Sequence, residues 1–255
     1  MNRTTFYDKI RDDDLVFVTD DGRGLITQQQ VDGMENLLNV WEGHYSDDPL
    51  DLLAYDLATA YHETAHTMQP IEEYGARSYF DKYEPGTRIG KVLGNTQPGD
   101  GYRFRGQGHV QNTGRANARK ATKRLNEVFG FGVDLEKNPE KRGDPIISAH
   151  SLFLGNKEGW WTGKDLLDYL DGVDEPDADD LKEFIAARRV VNGTDKAEKI
   201  GGYALAFEKA LWAAGYGVDA PVGPTPSGPA EGFWAFLWRI LKTIGLKTIG
   251  KGRRK

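Results

Sequence analysis

The chain's 255 residues, 38% hydrophobic and 28% charged, suffice for one large domain or two small ones around a sizeable core, and the absence of cysteine excludes disulfides and thiolate metal sites. The net charge of -6 conceals an asymmetry: residues 233–255 hold seven of the 33 basic residues and no acid, leaving 26 basic against 39 acidic residues in the body, a balance unsuited to nucleic-acid binding. No apolar run follows the charges of Met1-Asn2-Arg3-Thr4-Thr5-Phe6-Tyr7, which predicts synthesis in the cytoplasm without a signal peptide.

The pattern predicts a mainly helical chain. Thr27 with Gln30 three residues on is a capping box, and Val31, Met34, Leu37, Leu38 and Trp41 follow helical spacing to about Glu42. Asp48 is the expected cap of the next helix, with Pro49 at its first position. Leu52, Leu53, Leu57, Ala60 and Tyr61 form its buried stripe, and it is expected to run to about Thr67, short of Pro70. Residues 75–112, rich in glycine, suit irregular loops with a short hairpin, where a helical scaffold displays binding groups. Arg115–Phe129, Lys164–Leu170, Asp179–Val191 and Asp195–Ala214 read as further helices, and the apolar stretch Ile146–Leu154 fits helix or strand. The acidic run Asp174–Asp180 reads as a solvated loop entering a helix by its amino end.

From 219 to 232 four prolines and several glycines mark a linker. Beyond it, Phe233, Leu237, Ile240, Leu241 and Ile244 share a helical face, and Leu-Lys-Thr-Ile-Gly occurs twice in succession at 241–250. The apolar run is too short and too charged for a membrane span. A basic amphipathic helix on a bilayer surface fits better, with Trp234, Trp238, Arg239, Lys242 and Lys247 expected to meet anionic lipid or lipopolysaccharide.

Two chemistries compete for the centre of the chain. His62-Glu63-x-x-His66 is the zinc-peptidase spacing, in which two histidines one helical turn apart hold the metal and the glutamate activates water. The offsets that complete one such site hold Gln69 and Glu72 instead, and only His44, His109 and His150 remain as further histidines, so no metal is expected. The other reading is a pair of carboxylates for glycosidic cleavage. Glu63, late in an apolar helix, is expected to be partly buried and so to stay protonated as a general acid, whereas Glu72 and Glu73 lie past Pro70 in a more open segment. Gly106 and Gly108 invite a nucleotide reading, but the third glycine and the preceding apolar strand are missing.

His62-Glu63-Thr64, then Met68-Gln69-Pro70-Ile71-Glu72-Glu73, then Gly101-Tyr102-Arg103-Phe104-Arg105-Gly106-Gln107-Gly108-His109-Val110-Gln111-Asn112-Thr113-Gly114-Arg115-Ala116-Asn117 resemble glycoside hydrolase family 19, nearest its phage endolysin branch. Arg188-Arg189-Val190-Val191-Asn192-Gly193 resembles that family's later asparagine-glycine motif. The resemblance spans roughly residues 1–215. It implies a lysozyme-like α-helical fold with irregular loops around a cleft, and inverting hydrolysis of β-1,4-linked N-acetylated sugars, which needs carboxyls about 6.5–9.5 Å apart to admit a water. It implies Glu63 as general acid, Glu73 as the base that polarises the water, Thr113 as the hydroxyl that helps hold it, and Tyr102, Gln111, Asn117 and Asn192 as groups at the sugar cleft. Gln107 stands where the family often has arginine, and Asn112 where it often has leucine.

The expectation is therefore a catalytic domain over 1–218, a linker over 219–232 and a basic amphipathic helix over 233–255. Its function would be that of a monomeric, cofactor-free endolysin acting on peptidoglycan strands of the cell wall after release from the cytoplasm. A chitinase of the same fold, a zinc endopeptidase and a non-catalytic glycan-binding module, which would not need both Glu63 and Glu73, are the alternatives.

Overall fold

The computed structural model describes residues 1–18, 25–173 and 175–216, all within a unit spanning Met1–Asp219. The linker and the basic amphipathic helix expected over 219–255, with Trp234, Trp238, Arg239, Lys242 and Lys247, lie outside the described residues. The described chain is mainly helical, as expected. Its longer helices are α1 (Arg3–Arg11), α2 (Gln28–His44), α3 (Leu50–Glu63), α6 (Arg115–Phe129), α7 (Pro145–Lys157), α8 (Asp177–Ala187) and α9 (Ala197–Ala213), with short α4 (Arg88–Val92) and α5 (Asp100–Arg103) in the irregular middle segment.

The centre is α3. Every residue from Leu50 to Tyr61 is buried, the apolar majority together with Asp51, Asp56 and Thr59. α9 packs along it, α8 and α1 cover α9, and α7 closes α3 from another side. Trp41, Phe153, Phe184, Phe207 and Leu57 belong to this core. A second apolar cluster, built on Phe104, Ala121, Leu125, Leu135 and Leu154, lies between α6, α7 and the loops.

Local chemistry sets the boundaries. The Thr27–Gln30 capping box opens α2 as expected. Asn2 accepts from Thr5 N at the start of α1, a helix the sequence pattern did not predict. Asp144 caps α7 ahead of Pro145, which resolves Ile146–Leu154 as helix. Asp48 does not cap α3; its carboxylate takes Lys157 Nζ at 2.7 Å, and the helix begins one residue beyond Pro49. Only Leu166–Asp168 of the helix expected over Lys164–Leu170 forms a turn, closed by reciprocal bonds between Asp165 and Asp168.

The end of α3 departs most from expectation. It stops at Glu63, four residues early. Thr64 Oγ1 donates to Ala60 O at 2.7 Å and accepts from Met68 N at 3.0 Å, so a side chain satisfies groups that the helix ladder would otherwise use. Ala65, His66 and Met68 then take left-handed backbone angles, and His66 N closes on Tyr61 O at 2.8 Å. The chain turns back over α2, where Gly33 leaves room for it: a Cβ there would stand 2.2 Å from Met68 O.

The segment between α3 and α6 carries little regular structure. β1 (Ile71–Glu72) pairs antiparallel with β2 (Gln107–Gly108), Ile71 opposite Gly108 and Glu72 opposite Gln107. Charged side chains hold the rest. Glu84 accepts from Gly99 N and Gly101 N at 2.8 and 3.0 Å. Asp100 forms a bidentate pair with Arg115 at 2.6 and 2.8 Å and also accepts from Thr96 N and Gln97 N. Arg142, buried, donates to the carbonyls of Arg103, Arg105, Asn112 and Pro139. A glycine-rich stretch is thus fixed by ionic groups bonded to its own backbone.

Candidate active site

The open end of α3 and the segment 73–117 face one another across a cleft of about 560 Å³. Its lining includes Glu63 from α3, Glu73 just past β1, Gln111 and Thr113 from the loop after β2, Asn117 from α6 and Asn192 from the connection between α8 and α9. Six residues singled out from the sequence are therefore brought to one surface by separate parts of the chain. Tyr102 is not among them. Its ring lies on α5 with the Arg105 guanidinium 4.1 Å from its centroid and that of Arg77 at 5.2 Å, and it packs against Phe80.

Glu63 sits where α3 ends, with its side chain 19% exposed. The apolar surroundings expected for it are not what it meets. Arg188, 1% exposed, brings Nη1 to 2.9 Å from Glu63 Oε1 and spends Nε on Asp195 O at 2.9 Å. The contact with Glu63 is close but off-axis, an ion pair without an aligned hydrogen bond. One and two turns back along the same face of α3, Thr59 Oγ1 and Tyr55 Oη are buried. Burial pushes the Tyr55 phenol up, so it stays neutral.

Glu73 is held on both oxygens. Tyr83 donates to Oε1 at 3.0 Å, and Gly106 N–H donates to Oε2 at 3.1 Å, while the Glu73 N–H donates to Gly106 O at 2.8 Å. Lys82 Nζ lies 3.9 Å from Oε1. Burial, with Glu73 beside it, raises the Tyr83 phenol, which keeps it a donor. Glu72 turns elsewhere: it accepts from Arg105 and, at 2.7 Å, from Gln107 Nε2, and it does not line the cleft. The geometry thus separates the two neighbouring glutamates.

Gly106 is where these groups converge. A Cβ built there would lie 2.7 Å from Gln111 Oε1 and 3.3 Å from both Glu73 Oε2 and Thr113 Oγ1. Only glycine lets a carboxylate, a hydroxyl and an amide oxygen crowd this close to one stretch of backbone. Gln111 Nε2 donates to Ile71 O and Gly108 O, Thr113 Oγ1 to Gln111 O, and Asn117 Nδ2 to Thr113 O. Each donor is thereby fixed, and the acceptor oxygens of Gln111 and Asn117 are left for a ligand.

The sequence pattern missed Arg188, Tyr83 and Trp161. Arg188 lies in the later motif, yet nothing in its spacing shows that it turns inward. Trp161 lines the cleft with the apolar residues Ile89, Leu93, Val110 and Val191.

The zinc alternative needs His62 and His66 one turn apart on one helix. Because α3 ends at Glu63, His66 leaves that face and stacks on Tyr61 at 4.2 Å with an interplanar angle of 12°. Among the described residues no group of three or more histidines, aspartates or glutamates is placed to hold a metal ion. No family model, curated protein or solved structure matches this chain.

Proposed function

We propose that the chain is a glycoside hydrolase of the family 19 type, cutting β-1,4 bonds in the glycan strands of peptidoglycan with inversion. One observation carries the reading: Glu63, at the end of α3, and Glu73, just past β1, line one cleft together with Gln111, Thr113, Asn117 and Asn192.

In this reading Glu63 enters the step as the neutral acid, its pairing with Arg188 loosened in the substrate complex, and gives its proton to the leaving oxygen. As its proton departs, negative charge develops beside the buried Arg188 guanidinium, a fixed counter-charge in the right place to stabilise it. Glu73 draws the proton from the attacking water. Tyr83 and the Gly106 amide hold its carboxylate in one orientation, and Thr113 Oγ1, close to the same point, takes the water's other side. Apolar residues and Trp161 receive the sugar faces, and the amide groups of Gln111, Asn117 and Asn192 meet N-acetyl and hydroxyl substituents.

The test is digestion of purified peptidoglycan with product analysis by mass spectrometry and of anomeric configuration by proton NMR. New reducing ends of inverted configuration are expected. Glu63→Gln and Glu73→Gln should each lower kcat by about 10²–10⁴-fold with the fold intact. Free amines appearing without reducing ends, or a fully active Glu73→Gln protein, would overturn the reading. His66→Ala should leave turnover within about twofold, since its ring packs on Tyr61 outside the cleft.

A further inference from the structure

The segment that closes one side of the cleft also walls a second concavity, of about 430 Å³. Val191 and Asn192 line the cleft, whereas Arg189 and Thr194, from the same stretch of chain, line the second pocket with Ile185, Lys196, Ala197, Glu198 and Lys199. Three cations thus meet one carboxylate, Glu198, in a hollow whose only large apolar side chain is Ile185. Arg189, Lys196 and Lys199 are exposed residues, with the Lys199 ammonium 5.6 Å from the centroid of the Tyr203 ring.

The hollow also takes in the first turn of α9. Lys196 precedes that helix in a left-handed conformation, and no side chain caps it. The Ala197 N–H is taken by Thr194 O at 3.3 Å, and the amino end of the 17-residue helix adds its positive potential to that of the cations. Lys199 fixes the pocket's place relative to the cleft. After burial, its charge is among the influences that lower the imidazoles of His62 and His66, the residues that flank Glu63 and follow it around the turn. Arg188, which pairs with Glu63, is the chain neighbour of Arg189 in the hollow's wall, so the hollow lies beside the Glu63 end of α3.

We propose that this hollow binds the carboxylates of the short acidic peptides that branch from peptidoglycan strands, while the strand itself lies in the cleft. The inference rests on the reading of the cleft as a glycan site and deepens it. A peptide leaving alternate sugars must pass over one wall of the cleft, and the 189–194 wall carries positive charge on its far side. A neutral polymer such as chitin offers nothing for this pocket to hold. The pocket thus selects between two substrates that share the bond to be cut.

The experiment compares the wild type with an Arg189→Gln, Lys196→Gln, Lys199→Gln triple variant and with Glu198→Gln. The substrates are glycan strands that carry their peptides and the same strands after an amidase has removed them. Because the altered side chains are exposed, the variants keep the fold. The triple variant should lose about tenfold in kcat/KM on peptide-bearing strands, mostly through KM, and stay within about twofold on stripped strands. Glu198→Gln should move the peptide-bearing rate the other way, and high salt should erase the wild type's preference. An equal fall on both substrates, or no fall on either, overturns the proposal. Inactivity of the wild type on both substrates would instead overturn the reading of the cleft. The pocket is then read separately by NMR titration of the full chain with an acidic stem tripeptide. Amide shifts at Thr194, Ala197 and Lys199 support the proposal, and their absence overturns it.

Discussion

Trp161 is held at the cleft from behind by a relay of two polar side chains. Its indole Nε1 donates to Asn156 Oδ1 at 2.7 Å, and Asn156 Nδ2 donates to Asp56 Oδ1 at 2.6 Å. Gly155 makes the approach possible, since a Cβ there would stand 2.5 Å from Trp161 Cζ2. Asp56 is fully buried on α3, and burial, eased by the bond from Asn156, pushes its carboxyl well above the usual range. A carboxyl shifted towards its neutral form there accepts from Asn156 while lessening the charge placed in the core. Asn156→Ala should therefore free the indole and raise KM for glycan strands about three- to tenfold with kcat little changed, the range expected for losing an ordered aromatic face. Asp56→Asn, which keeps the acceptor, should leave KM alone. Steady-state kinetics read both, and the tryptophan fluorescence change on titrating substrate should weaken in the first variant only. An unchanged KM in Asn156→Ala would mean that the indole needs no such support.

At the scale of the helix, two glycines of α2 should respond oppositely to the same substitution. Alanine gains about 1 kcal/mol over glycine in a helix interior. At Gly43 a Cβ meets nothing within 4 Å, so Gly43→Ala should stabilise by about 0.5–1 kcal/mol. At Gly33 the same atom would strike the Met68 carbonyl, backbone that cannot swing aside, and overpacking of this kind costs about 1–3 kcal/mol. Gly33→Ala should thus destabilise, and it should also lower activity, because the turn it displaces leads into Glu73. Urea denaturation of both variants checks the opposing signs. The same turn shows where sequence reasoning stops. α2 was legible because Thr27 and Gln30 open an amphipathic pattern, and α6 ran over Arg115–Phe129 as expected. α3 was legible in its body but not at its end, because Ala60 to Thr67 is good helix material until Thr64 is seen bonding Ala60 and Met68. The site's carboxylates and amides were legible as motifs. Arg188 and Tyr83, which hold those carboxylates, were not, because an inward-turned arginine and a loop tyrosine leave no periodic trace. The fixing of the 84–112 segment by Glu84, Asp100 and Arg142 was equally hidden, since it runs between side chains and distant backbone.

For the whole molecule, buried titratable groups pull stability in opposite directions as pH falls. His109 is buried with Nδ1 2.7 Å from Ser148 Oγ and Nε2 3.3 Å from Met68 O, an arrangement satisfied by the neutral ring donating from Nε2. Burial brings it down to about 4, and burial with His44 nearby brings His150 to about 4 as well. Unfolded histidine takes its proton near 6.5, so these rings support the fold fully above that pH and withdraw their support as pH falls towards 4. The contribution of His109 is on the order of 3 kcal/mol. Asp56 acts in reverse. Its folded carboxyl keeps the proton after the unfolded one has lost it, so its burden grows as pH rises above about 4 and is absent below. The wild type's acid loss between pH 6.5 and 4 is therefore partly offset, and Asp56→Asn removes the offset. The variant should be the more stable protein at pH 7, should lose stability more steeply on acidification, and should meet the wild type near pH 4. Surface carboxylates such as Glu136 and Glu158, held down by Arg119 and Arg124, contribute equally to both proteins and cancel from the difference. Urea unfolding free energies at half-unit steps from pH 4 to 7.5 measure that difference directly, and parallel curves would show that Asp56 gives up its proton inside the folded core at no cost.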